Sequence, residues 1–154
     1  MRIVSRLPRD RAQPGTLWVE RNGQPFIEDV RIRGKADSKA AADHGNPSRN
    51  PTAPYGDHPA GGYRVIAVER KSDLRKYGPA FIRLDPISGD ALLAKQNGRD
   101  GLALHGGDLN NDGTLRATNG CGRLDNDNIS RIAIDVRVAI GMSEEVIYEC
   151  ENID

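Results

Sequence analysis

Apolar residues fall along this chain in short runs separated by polar, glycine-bearing breaks, the rhythm of a strand-rich domain. Leu17-Trp18-Val19-Glu20 and the alternating run Phe26–Arg33 flank Asn22-Gly23, a dipeptide suited to a tight reversal, and predict a β-hairpin. Gly62–Glu69, Phe81–Leu84 and Glu145–Cys150 predict further strands, and Gly101–Leu104 a short apolar strand ending at His105. Ala91–Ala94 fits either a strand or a short helix. A helix is predicted from about Asn128 to about Val138, with Asn126 or Asp127 as N-cap, although Ile129, Ile132, Ile134 and Val136 do not share one clean stripe. Between Gly34 and Gly61, Pro47, Pro51, Pro54 and Pro59 break any regular pattern. That segment reads as a long irregular excursion with at most a helical turn at 36–42, a length usually reserved for functional or mobile loops. The whole predicts one mainly β domain over 1–154 with one or two short helices, without repeats or an interior linker.

Charge narrows the partners. Lys plus Arg and Asp plus Glu both number 22, so no net field draws the chain to nucleic acid or anionic lipid. No apolar run is long enough to span a bilayer, and the N-terminal residues lack the apolar core of a signal peptide. Location is therefore open between cytoplasm, export without a cleaved signal, and an N-terminally trimmed chain. Two cysteines do not make a disulfide framework.

The chemistry concentrates in two glycine-rich stretches, Leu104-His105-Gly106-Gly107 and Thr118-Asn119-Gly120-Cys121-Gly122-Arg123. A thiol attacks only as thiolate and needs a base or a positive field nearby. Gly120 and Gly122 keep bulk away from Cys121, and the amides of residues 120–122 are candidates for an oxyanion site. Arg123 suits a bidentate grip on a ligand carboxylate, with a structural Arg–Asp pair as the plain alternative. Cys150, on the last predicted strand, reads as structural, and His44 and His58 as exposed surface. Tyr63 reads as core or cleft wall. Asp108–Gly113 has the oxygen-rich opening of a calcium loop, but its twelfth position is Asn119 and no helices flank it, so a polar turn is the better reading. No zinc spacing, phosphate-cradling loop or cofactor motif is present.

The His105-Gly106-Gly107 and Thr118-x-Gly120-Cys121-x-Arg123-Leu124 pair resembles the L,D-transpeptidase catalytic domain, the YkuD-like family. Pro59-Ala60-Gly61-Gly62-Tyr63 resembles its upstream Thr-Pro-x-Gly-x-Tyr element, and the likeness is strongest over 50–147. The resemblance implies a β-sandwich-like fold and cysteine-dependent acyl transfer on peptidoglycan stem peptides. Cys121 would be the nucleophile, His105 the base and Asn119 the residue orienting the imidazole. Gly120, Gly122, Arg123, Gly106 and Tyr63 would form the substrate and oxyanion surroundings. The resemblance also places the site of action in the periplasm or cell wall, with any secretion or immunity partner unknown.

The chain departs from that family at Asn119, where the family carries histidine, and at Gly122, where a branched apolar residue is usual. Asparagine cannot take a proton at neutral pH. One alternative follows from these departures, a peptidoglycan-binding module of the same fold without catalysis; the atypical motif together with the missing signal peptide suggests another, a secreted toxin directed at cell walls.

Overall fold

The computed structural model describes residues 1–154. The expected class holds: the molecule is predominantly β, with a few short helices. Eight strands form one mixed sheet in the order β3-β2-β1-β8-β4-β5-β6-β7. They are β1 Arg2–Pro8, β2 Gly15–Arg21, β3 Gln24–Ile32, β4 Gly61–Glu69, β5 Phe81–Pro86, β6 Ala103–His105, β7 Gly122–Arg123 and β8 Ile147–Ile153. The edges meet, because Arg33, just past β3, forms an antiparallel bridge with Arg123 of β7 through mutual backbone bonds of 2.9 and 3.0 Å. The sheet is therefore nearly closed, which leaves little free edge.

The predicted hairpin is β2–β3, with Asn22 at φ 52° and Gly23 at φ 76°, the left-handed pair that a tight reversal requires. Strand β1 lies outside the sequence-based expectation. Its apolar residues are interrupted by Arg2 and Arg6, and its stability comes from non-local partners: it runs antiparallel to β2 and parallel to β8, some 145 residues away. On its outer face Arg2 pairs with Glu20 and Glu149, and Arg6 with Glu151.

Helices α1 (Ser38–Asp43), α2 (Leu74–Tyr77), α3 (Gly89–Gln96) and α4 (Asn126–Gly141) complete the chain. The ambiguous run at 91–94 is helical. Helix α4 starts earlier than expected because Asp125 is its cap, its carboxylate accepting from the Asn128 amide at 3.0 Å. Ile129, Ile132, Ala133, Val136 and Ala139 form its buried stripe, and Ile134 lies outside it, largely exposed. This stripe packs on Ile3, Tyr63, Ile82, Leu104 and Leu124 in a single core of 24 buried residues.

Candidate functional site

Strands β6 and β7 run parallel side by side, pairing Leu104 with Gly122 and His105 with Arg123. This pairing brings the two glycine-rich stretches together. Cys121 enters β7 from a turn and His105 ends β6, and both line one cleft of about 750 Å³. No hydrogen bond joins their side chains. The Cys121 thiol lies 3.6 Å from the Gly101 carbonyl, and His105 Nδ1 lies 2.7 Å from the carbonyl oxygen of Gly106.

That second contact decides the state of the imidazole. A carbonyl only accepts, so Nδ1 carries the proton and Nε2 keeps its lone pair. The ring is held by an edge-on contact from Tyr77 and a stacked one from Phe81. Burial pulls its pKa down to about 4, with the Arg123 and Lys76 charges adding to the fall and the Gly106 bond opposing it, so the ring is neutral at pH 7. Burial moves the Cys121 thiol the other way, raising its pKa, opposed by a hydrogen bond from the Ala103 amide and by the Arg99, Arg123 and Lys76 charges. At rest the pair is thiol and imidazole, not thiolate and imidazolium.

The turn bearing Cys121 is held group by group. The Gly120 amide donates to Thr118 Oγ1 at 2.8 Å, and Thr118 Oγ1 donates to the Cys121 carbonyl at 2.9 Å. The Gly120 carbonyl accepts from His58 Nδ1 at 3.0 Å. The Cys121 amide makes no hydrogen bond within the chain. Of the expected oxyanion donors, Gly120 is therefore committed elsewhere and Cys121 is free. Gly120 has φ 116°, and a Cβ there would collide with the Arg99 guanidinium and the Gly56 carbonyl, so only glycine fits. At Gly122 a Cβ would press on Leu104 and Ile32, so the glycine is what lets β7 lie on the core.

Asn119 lines the cleft, exposed, and makes no hydrogen bond to His105; the Gly106 carbonyl holds the imidazole instead. Gly106 O also accepts from Arg123 Nη1 at 2.8 Å. Tyr63 is fully buried and lies outside the cleft lining, its hydroxyl donating to the Pro59 carbonyl. Cys150 is buried on β8, and His44 is exposed, stacked on Tyr55. No group of three or more His, Cys, Asp or Glu is placed to hold a metal ion.

Two residues of this region carry no sequence signal as site residues. Expected on the surface, His58 is instead wholly buried: the irregular segment folds under the cysteine turn and is pinned there. Arg99, 5% exposed, does the pinning, donating to the carbonyls of Pro51, Gly56 and Asp57 at 2.7–2.9 Å. Arg99 also lines the cleft, whose charged walls hold five cations (Arg75, Lys76, Arg99, Arg116, Arg123) and three acids (Asp37, Asp73, Asp100). None of the five is in an ion pair, although thirteen ion pairs form elsewhere. Arg123, 4% exposed, keeps its Nε without a partner. The expected alternative, an Arg–Asp pair at this residue, does not form. Arg99 and Arg123, buried in the cleft without an ion-pair partner, favour a ligand that brings its own negative charge.

No protein-family model and no curated protein matches the chain. Among solved structures, the helical cell shape determining protein Pgp2 from Campylobacter jejuni is similar, with a TM-score of 0.53 and 18% identity over 99% of this chain and 48% of that one. Bd1075 from Bdellovibrio bacteriovorus is similar at 15% identity and TM-score 0.49, over 86% of this chain and 43% of its own. The chain thus spans about half the length of these proteins, and what it shares with Pgp2 is the fold.

Proposed function

We propose that the protein is a cysteine acyl-transfer enzyme acting on peptidoglycan stem peptides, as an L,D-transpeptidase or L,D-carboxypeptidase of the periplasm or cell wall. The observation that carries this is the tautomer of His105. With Nδ1–H given to the Gly106 carbonyl, the basic Nε2 belongs to a ring lining the same cleft as the Cys121 thiol. Support for the substrate class comes from the unpaired cleft cations, which suit a peptide bearing carboxylates, and from the shared fold of a cell-shape-determining protein.

In the reaction, Cys121 Sγ attacks the carbonyl carbon on the L-centre of the diamino-acid residue while its proton passes to His105 Nε2. The free Cys121 amide receives the developing oxyanion. Collapse breaks the C–N bond to the terminal D-alanine, whose nitrogen takes the proton from His105, and leaves a thioester on Cys121. An amine of a second stem, or water, then attacks the thioester carbonyl, gives up a proton to His105, and releases the thiolate, which is reprotonated. Arg123, which lines the cleft without an acid partner, meets a substrate carboxylate.

The raised thiol and weakly basic imidazole favour a second reading, a binding module that holds stem peptides without cutting them. Intact-protein mass spectrometry with purified tetrapeptide muropeptides separates the two. An acyl adduct mapped to Cys121, with D-alanine released, lost in Cys121→Ala and kept in Cys150→Ala, is the expected result. Saturable binding without adduct or D-alanine would replace catalysis by the binding reading.

A further inference from the structure

Beneath the cysteine turn lies a polar chain that the reaction above does not use. Ser5 Oγ and the Tyr148 hydroxyl are 2.6 Å apart, the Tyr148 hydroxyl and His58 Nε2 3.0 Å, and His58 Nδ1 and the Gly120 carbonyl 3.0 Å. All three side chains are 0% exposed. The direction of the chain follows from its end. Gly120 O only accepts, so His58 Nδ1 carries the proton, Nε2 accepts from Tyr148, and the Tyr148 hydroxyl accepts from Ser5.

The ring itself is fixed from every side. Its backbone amide donates to Gly34 O at 2.8 Å, its carbonyl accepts from Arg11 Nε at 3.1 Å, and its faces meet Tyr63 and Tyr148. Burial, helped by the Arg11 and Arg99 charges and opposed by the bond to the Gly120 carbonyl, holds it neutral, with a pKa of about 3. A buried polar network of this kind, with every member satisfied, specifies one geometry.

The geometry it specifies is that of the Gly120–Cys121 peptide. In a trans peptide the carbonyl and the following N–H point in opposite directions. With the Gly120 carbonyl drawn to His58 in the core, the Cys121 N–H points the opposite way, away from His58, and Cys121 itself lines the cleft. That amide is the one polar backbone group of the Gly120–Cys121 pair left without a partner. Glycine at 120 leaves this peptide freer to rotate than another residue would; Thr118 holds the groups on either side of it, and His58 holds its carbonyl.

We propose that His58 is a positioning residue: through its hydrogen bond to the Gly120 carbonyl it aims the Cys121 amide at the oxyanion that forms when the thiol attacks a carbonyl. The inference rests on Cys121 being an acyl-accepting nucleophile, but not on the identity of its natural substrate. It can therefore fail or stand apart from the peptidoglycan assignment.

Two small probes separate aim from mere folding. p-Nitrophenyl acetate acylates a thiol through an oxyanion, whereas iodoacetamide alkylates it by displacement at a saturated carbon, with no oxyanion to stabilise. Rates at Cys121, read by mass spectrometry in the full-length protein, give a ratio for each variant. His58→Leu, which removes the donor, is expected to lower the acylation rate by about 10²-fold, with alkylation within about twofold of wild type. His58→Asn, whose amide nitrogen stands near the position of Nδ1, is expected to restore most of the ratio. Parallel changes in both rates, or none in either, would overturn the proposal. Should His58→Leu lose its cooperative melt, nitrogen NMR of the unaltered protein decides: an Nδ1–H tautomer at His58 upholds the aim, and an Nε2–H tautomer refutes it.

Discussion

Lowering the pH from 7 to 4.5 is expected to remove about 5 kcal/mol of folding stability through two side chains. His58 and His105 are 0% and 2% exposed and neutral in the native protein, with pKa values of about 3 and about 4 against an ordinary 6.5. Both folded values lie below the unfolded one, so below pH 6.5 the unfolded chain takes up protons that the native protein refuses. Stability therefore falls as pH falls through the window from 6.5 towards 4, and levels off only once each native ring is protonated in turn. At pH 4.5 each ring sits about two pH units below its unfolded pKa and above its native one. At about 1.4 kcal/mol per unit, each contributes a loss of about 2 to 3 kcal/mol. The total is comparable to the whole stability of a marginal domain, so partial unfolding near pH 4 is expected. Urea unfolding followed by Trp18 fluorescence at half-unit steps measures it, with His105→Gln as the diagnostic variant. That variant should lose about half of the pH dependence between 6.5 and 4.5. A stability that is flat across this window, or a His105→Gln slope equal to that of the unaltered protein, would show that these rings are not buried neutral.

Alkylation of Cys121 by iodoacetamide is expected to rise in a single step centred above the ordinary thiol range, with no plateau between pH 5 and 8. A plateau there would mean a resting thiolate–imidazolium pair and would refute the neutral pair derived from burial. Arg123→Gln is expected to raise KM for tetrapeptide substrate about tenfold or more, consistent with loss of a charge-assisted bond to a carboxylate. An unchanged KM, measured with the melting temperature to separate out its bond to Gly106, would assign Arg123 to structure alone.

By itself the sequence determined the elements whose physics is local. Alternation and Asn22-Gly23 predict the β2–β3 hairpin, and the apolar runs predict β4, β5, β6 and β8, because a strand's pattern is written in adjacent residues. The glycine-flanked Cys121 and the strand-end His105 stood out for the same reason, each being a local motif. Strand β1 and His58 did not, because each is defined by partners far along the chain. β1 needs β8, and His58 needs Gly120 and Tyr148, 62 and 90 residues away. Pro59 and its neighbours mark the irregular segment as unusual, but nothing in them says which way it folds.

Asn119 shows the division most clearly. From sequence it stands at the position the resemblance gives to a histidine, and orienting the imidazole was its expected task. In three dimensions that task falls to a backbone carbonyl, at Gly106, which no residue type announces. Residue identity sets which atoms can donate, accept or attack. Only closure of the sheet, by laying β7 beside β6 and folding the proline-rich segment beneath the turn, decided which of them meet, because those contacts depend on chain segments that are distant in sequence.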